Sequence, residues 1–441
     1  MSARDSSPAE RLVSAGLPDD VVAVDVDDEV LLLDTQGERV VRLNAEAVAG
    51  LGSDDPSRAT VLDALADLGL GSTGRSGGIS RRRMLAAGAA AGITVLVLPT
   101  ARAAASPAPT PNVPVITPAA TVSLPAGSVA PVYPTASADG TRVYVANYGS
   151  TNDNGTVSLI ATSTNSVSTF VVSGLSGPWI AVPSTDGTRL YVTNNAPGTN
   201  GFRVKVYDTG TGALITTIFN NSQAPSYAVM NADGSRLYAV NGGSGVGGNS
   251  VTVIDTDPLS GTYHTILTTI TGFSRPWGVA STGARLYVTN NGAGAGNTVS
   301  VVNTTTNIID ATITVGTSPR YVAITPDGKR AYVANHGSGT VSVINTDPAS
   351  GTFNTVLVTL VGLTTAQAVA ISPNSNLAFV SLESLDVVKV IDINPASATF
   401  HTVIDTLTTG DLPNGLVVRP DGQSLYVANS LSNSVSVFSI S

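Results

Sequence analysis

Over most of its length the chain alternates apolar and polar residues with a period of two. Runs such as Thr340-Val341-Ser342-Val343-Ile344 place valine and isoleucine on one side and hydroxyl residues on the other. That is the pattern of a half-buried strand. The runs come in groups of four. In the clearest group Tyr321–Ile324 is the inner strand and Pro326-Asp327-Gly328 turns it. Arg330–Asn335 is the second strand, Gly337–Gly339 a turn, and Thr340–Ile344 the third. Asp310–Val315 shows the form of an outer, fourth strand one group earlier. Asp-Gly dipeptides recur at Asp139, Asp186, Asp233, Asp327 and Asp421, as tight hairpins that need positive φ demand.

One anchor repeats in every group. It reads Tyr144-Val-Ala-Asn147, Tyr191-Val-Thr-Asn194, Tyr238-Ala-Val-Asn241, Tyr287-Val-Thr-Asn290, Tyr332-Val-Ala-Asn335, Phe379-Val-Ser-Leu382 and Tyr426-Val-Ala-Asn429. The spacings are 47, 47, 49, 45, 47 and 47 residues. Strand groups at this period predict an all-β, seven-bladed β-propeller with four-stranded antiparallel blades over residues 121–441. The last group stops at a third strand, Val435–Ile440. Ala120–Pro125 carries the outer-strand pattern and is predicted to complete that blade, which removes an open sheet edge.

Two segments precede the repeats. Residues 1–75 read as a small acidic α+β unit. Its strands are Val21–Val24, Val30–Leu33 and Glu38–Leu43, and its helices Ala45–Gly50, capped by Asn44, and Ser57–Leu68. Residues 76–120 read as a linker. It holds Ser80-Arg81-Arg82-Arg83-Met84-Leu85, an apolar run from Met84 to Leu98, and Ala101-Arg102-Ala103. A charged start, an apolar middle and an Ala-x-Ala end are the three parts of an export signal. Arg81, Arg82, Met84, Leu85, Ala101 and Ala103 would carry it. The run has 15 residues, short of the roughly 20 needed to span a bilayer. A cleaved signal behind a long leader, an uncleaved anchor and a buried helix with a basic start are the competing readings. The prolines at 107, 109, 111, 114 and 118 predict an extended spacer.

Composition narrows the function. Charged residues are 12% of the chain, about half the usual share of about 25%. The net charge of −9 divides as −9, +4 and −4 over residues 1–75, 76–120 and 121–441. A mildly acidic propeller is a poor partner for phosphate backbones, which disfavours nucleic acid. There is no cysteine, which excludes disulfides and thiolate chemistry.

The Tyr-Val-Thr-Asn anchors resemble those of the YVTN-repeat β-propeller family, which includes YncE-like and surface-layer-type proteins. The resemblance implies a propeller, often extracytoplasmic, with no single activity. Val30–Leu70, centred on Arg42-Leu43-Asn44-Ala45, resembles the PqqD-like family. Those are winged-helix domains that hold leader peptides of modified ribosomal peptides by adding them as a strand. Ser-Arg-Arg-x-Met-Leu resembles the twin-arginine export motif.

Candidate chemistry lies where the repeat varies. The residue after the usual proline of each inner strand is Val132, Trp179, Ser226, Trp277, Arg320, Gln367 or Asn414. Inner strands line a propeller channel, so these seven should ring one mouth. Arg275 should lie beside it, and Tyr133, Tyr227 and Tyr321 one residue deeper. The candidate ligand-binding set is Trp179, Trp277, Arg275, Arg320, Tyr227, Tyr321, Gln367 and Asn414. Such a mouth suits an anionic or sugar-like ligand or a peptide. No carboxylate is expected at the ring. The alternative is that the tryptophans plug the channel and the arginines pair with carbonyls. His264 and His401 take equivalent outer-strand positions in different blades and should not meet, and His336 follows an anchor; all three read as structural rather than catalytic or metal-binding.

The expected function is an extracytoplasmic, monomeric scaffold for a small ligand or envelope protein, with no cofactor or metal. Membrane contact would come only through the signal or anchor segment. The alternatives are a lactonase-like or quinoprotein-like enzyme with its site at the mouth, and a peptide-maturation partner acting through the N-terminal unit.

Overall fold

A computed structural model describes residues 114–441, apart from 152, 198–200, 220–223 and 243–247, and four strands of the N-terminal part. The chain divides into two compact units, Met1–Asn112 and Val113–Ser441.

In the first unit the described strands are Val21–Val26, Glu29–Asp34, Val40–Leu43 and Ile93–Leu96. They form one antiparallel sheet in chain order. Three were expected. The fourth was not, because Ile93–Leu96 lies inside the apolar run read from sequence as an export signal or a buried helix. These four residues are extended and pair with Val40–Leu43. Three of the four, Ile93, Thr94 and Val95, are β-branched, which favours that conformation. The two expected helices and the arginine motif lie outside the described residues. Among the described residues no helix is long and apolar enough to cross a membrane.

The second unit is the seven-bladed propeller. Six blades take their four strands in chain order, from Pro131–Leu175 in blade 1 to Ala366–Thr408 in blade 6. Blade 7 has Pro413–Val418, Ser424–Asn429 and Ser434–Ile440, and its outer strand is Ile116–Ser123 from the start of the unit. The clasp begins earlier than the sequence pattern implied. It takes in Pro118, which sits beside the register shift between Val437 and Phe438, where a residue without an N–H is tolerated. Backbone bonds between Val115 and Ser441 extend it.

Each anchor residue has a separate task. The tyrosine ring is buried, and in four blades its hydroxyl reaches the next blade. Tyr191 meets His264 Nε2 at 3.1 Å, and Tyr332 meets His401 Nε2 at 3.0 Å. Tyr287 donates to Asn354 at 2.9 Å, and Tyr426 to Asn165 at 2.6 Å. All four recipients have positive φ, between 51° and 63°. They sit in the hairpin turn before the outer strand, so His264 and His401 are turn residues rather than outer-strand residues. Where the anchor's third residue is Thr193, Thr289 or Ser381, its hydroxyl donates to the carbonyl of Ser226, Arg320 or Asn414 in the next blade. Five of the asparagines donate to two hydroxyls on their own third strand, as Asn335 does to Thr340 and Ser342.

Candidate functional site at the channel mouth

Every inner strand starts on one face, at a proline in six blades and at Ala366 in blade 6, and runs to a hairpin turn on the other, which is Asp-Gly in five blades. The second residue of each therefore faces the mouth, and the third faces the axis just below. That third position holds Tyr133, Ile180, Tyr227, Gly278, Tyr321, Ala368 and Gly415. The tyrosines are interspersed with smaller residues, and at the two glycines no side chain fits. A Cβ on Gly278 would stand 2.6 Å from the Arg320 carbonyl oxygen, and one on Gly415 would stand 2.3 Å from the Tyr133 ring. The three tyrosine rings therefore meet on the axis, with centroids 5.0–5.1 Å apart. They floor the mouth. Burial pushes the Tyr133 hydroxyl up to about 12 and that of Tyr227 well above its usual value, so both stay protonated.

The mouth itself is two-sided. On blades 2 to 4 it is aromatic. Trp179 donates its Nε1–H to the Tyr321 hydroxyl at 2.7 Å. Trp179 also packs edge-on against Tyr148 and Trp277, with centroids 5.7 and 5.6 Å apart. On blades 5 to 7 it is polar. The Arg320 guanidinium lies 5.3 Å from the Trp277 centroid. Its Nη1 donates to Gln367 Oε1 and, at 3.0 Å, to Glu383 Oε2. The same carboxylate oxygen meets His336 Nε2 at 2.8 Å. Gln367 Nε2 donates to Asn414 Oδ1 at 2.9 Å. The His336 bond first, then the Arg320 charge, holds the Glu383 carboxyl below its ordinary range despite partial burial. The Arg320, Glu383 and His336 side chains are 20%, 22% and 22% exposed, so a ligand can reach a network mostly out of water.

Trp179, Trp277, Arg320, Tyr227, Tyr321, Gln367 and Asn414 are thus brought together. Arg275 is not. It is exposed, sits at positive φ, and makes no ion pair among the described residues; its backbone N–H donates to Asn249 at 2.6 Å. The expectation that no carboxylate stands at the ring is wrong, because Glu383 does. It follows the one anchor that has lost both its tyrosine and its asparagine, Phe379-Val-Ser-Leu382, and that degeneracy hid it. The signal was alignment of the residue after each anchor: Tyr148, Asn195, Gly242, Asn291, His336, Glu383 and Ser430. At Asn195, Asn291 and Ser430 this residue donates to a backbone carbonyl at the start of the next blade. His336 and Glu383 are the ionisable members of the series apart from Tyr148. Among the described residues no three His, Asp or Glu side chains cluster as metal ligands would.

The opposite face is regular. Asp139 accepts from Ser137 and Thr141, Asp186 from Ser184 and Thr188, and Asp327 from Thr325 and Lys329. Two open cavities of about 400 and 410 Å³ lie between blades 1 and 2 and blades 2 and 3 on this face, sharing Thr185 and Asp186. Their carboxylates are turn residues apart from Asp208, which ends a third strand, and Arg142 and Arg189 line them as well.

Comparison with known proteins agrees with the fold. The family described as Lactonase, 7-bladed beta-propeller, matches residues 282–441. That stretch holds Arg320, His336, Gln367, Glu383 and Asn414, and lacks both tryptophans. No curated protein matches the chain. A solved structure of hydrazine synthase from Kuenenia stuttgartiensis is similar at 21% identity and a TM-score of 0.59, covering 70% of this chain and 95% of that one. The β-propeller domain of Myceliophteria thermophila Cps50 (Swd1) is similar at 11% identity and a TM-score of 0.59, covering 74% of this chain and all of that one. At these identities the likeness is one of fold.

Proposed function

We propose that the propeller is an extracytoplasmic binding protein whose channel mouth holds a small, oxygen-rich molecule against Trp179 and Trp277. The observation that carries this reading is the Arg320 network. A guanidinium is fixed by an aromatic face, an amide and a carboxylate, yet remains partly open to solvent. Such preorganisation lowers the cost of ordering on binding. The tyrosine floor makes the mouth a blind pocket, so a ligand enters and leaves by one face. The pairing of Arg320 with Glu383 leaves the site close to neutral, which favours a polar ligand over a strongly anionic one. The chain has two tryptophans and both stand at the mouth, so intrinsic tryptophan fluorescence reports occupancy directly. Envelope sugars and small carboxylic acids should quench it saturably, and Arg320→Ala should abolish the effect. No saturable change with any of them would end the proposal.

A second reading is opening of a cyclic ester, and the Arg320–Glu383–His336 geometry favours it. Glu383 holds His336 at Nε2 and leaves Nδ1 to take a proton from water. The water oxygen attacks the ester carbonyl, and Arg320 stabilises the charge that develops on its oxygen. The ring C–O bond then breaks, and the departing oxygen takes the proton back. Partial agreement with a lactonase family over the stretch holding these residues supports this reading. The test is base uptake on a panel of simple δ- and γ-lactones. His336→Ala should lower the rate at least about a hundredfold. A wild-type rate equal to the uncatalysed one removes the reading.

A further inference from the structure

The polar side of the mouth has a direction. Arginine can only donate hydrogen bonds, so the Gln367 atom that meets Arg320 must be its oxygen. The remaining atom of that amide, Nε2, can only donate. The Asn414 atom it meets must therefore be an oxygen as well. This fixes the Asn414 amide: its Oδ1 is consumed inside the network and its Nδ2, with two N–H groups, is left over. Asn414 is half-buried, and its Nδ2 has no partner among the described residues. Gln367 is buried, at 1% exposure, so it cannot turn over in place to reverse the chain. The Asn414 backbone is pinned as well, because its carbonyl accepts from Ser381 at 2.7 Å.

We infer that Asn414 is the specificity-determining residue of the mouth, and that the ligand meets it with an acceptor oxygen, a carbonyl or carboxylate, rather than with a donor N–H. Arg320 adds to this preference, since its Nη2 is unpaired among the described residues and can also only donate. A group carrying N–H alone would leave those donors facing a donor, which a partly desolvated site penalises. The inference rests on the mouth being a binding site.

The test inverts the chain without touching Asn414. In Gln367→Glu both oxygens of residue 367 accept. Asn414 must then flip to donate Nδ2 inward, presenting Oδ1 to the ligand. The readout is the ¹⁵N–¹H spectrum of the full chain. The two tryptophan indole signals report occupancy of the mouth, and the side-chain amide pair lost in Asn414→Leu identifies Asn414. Two neutral rings serve as probes: cyclohexanone, which only accepts, and pyrrole, which only donates. In the wild type, cyclohexanone should move the indole and Asn414 signals saturably and pyrrole should bind more weakly. Gln367→Glu should weaken cyclohexanone about tenfold and make pyrrole the better ligand. Asn414→Leu, which keeps the bulk and removes the donor, should weaken cyclohexanone alone. An unchanged preference in Gln367→Glu, with its indole signals still responding, overturns the inference and leaves the binding reading intact. Indole signals that no probe moves in the wild type overturn both.

Discussion

The two faces of the propeller are built from the same repeats and have diverged in opposite ways. On the Asp-Gly face the aspartate recurs in five of the seven blades, and its oxygens are taken up by hydroxyls and N–H groups of its own turn. On the mouth face the equivalent positions differ in nearly every blade, and the differences interlock across blades. Arg320, Gln367 and Asn414 come from three blades, and His336 and Glu383 from two of them. A position that obeys the repeat serves the turn it sits in, and a position that departs from it is available for recognition.

Substitutions can break or sharpen this contrast. The largest loss of stability should come from the floor of the mouth. Tyr321→Ala opens a void on the axis and removes the Trp179 bond, at a cost of about 3–5 kcal/mol. It should lower the unfolding midpoint in urea and blur both tryptophan environments. Next is Glu383→Ala, which leaves Arg320 and His336 without their shared carboxylate. The pair is partly solvated, so the cost should be about 1–2 kcal/mol, with a larger loss in ligand titrations. If stability and binding both survive, the mouth network is decoration.

Third is the pH response of the blade seams. The His401 imidazole is pushed down to about 4, by burial first and then by Arg330, against Asp392 acting the other way. An unfolded histidine titrates near 6.5. The unfolded chain therefore binds the proton first, and stability is full above about pH 6.5 and is lost as pH falls toward 4. His401→Asn, which copies Asn354 of the neighbouring blade, should flatten urea midpoints across that window. Glu383 acts lower: its contribution is present above the ordinary glutamate value of 4.5 and is lost as pH falls further below it. A slope untouched by His401→Asn would mean the seams do not sense acid. The smallest effect should be Asp327→Asn on the regular face, below about 1 kcal/mol, with ligand titrations unchanged.

Much of this was legible in the sequence. The anchor spacing dictated the blade count, the missing last strand dictated the clasp, and the residue after each inner-strand proline marked the ring. Repetition made each of these visible, because seven noisy copies average to one clear pattern. Glu383 stayed hidden because it is a single residue behind a decayed anchor, and its partners lie 47 and 63 residues away. Its role depends on the pairing of two blades rather than on any local pattern. Ile93–Leu96 stayed hidden for another reason. A short apolar run carries no period that marks it as a strand, and its pairing with Val40–Leu43 joins residues some fifty positions apart.

The clasp of blade 7 also sets an order of events. Ile116–Ser123 is made first among the strands of the propeller and finds its partner last, since Ser434–Ile440 lies some three hundred residues downstream. During synthesis that strand must wait with its edge unpaired while six blades assemble behind it. Its proline makes it a poor template for premature pairing with other chains. The ring becomes a ring only when the final strand arrives. Until then the mouth is an open arc rather than a closed ring.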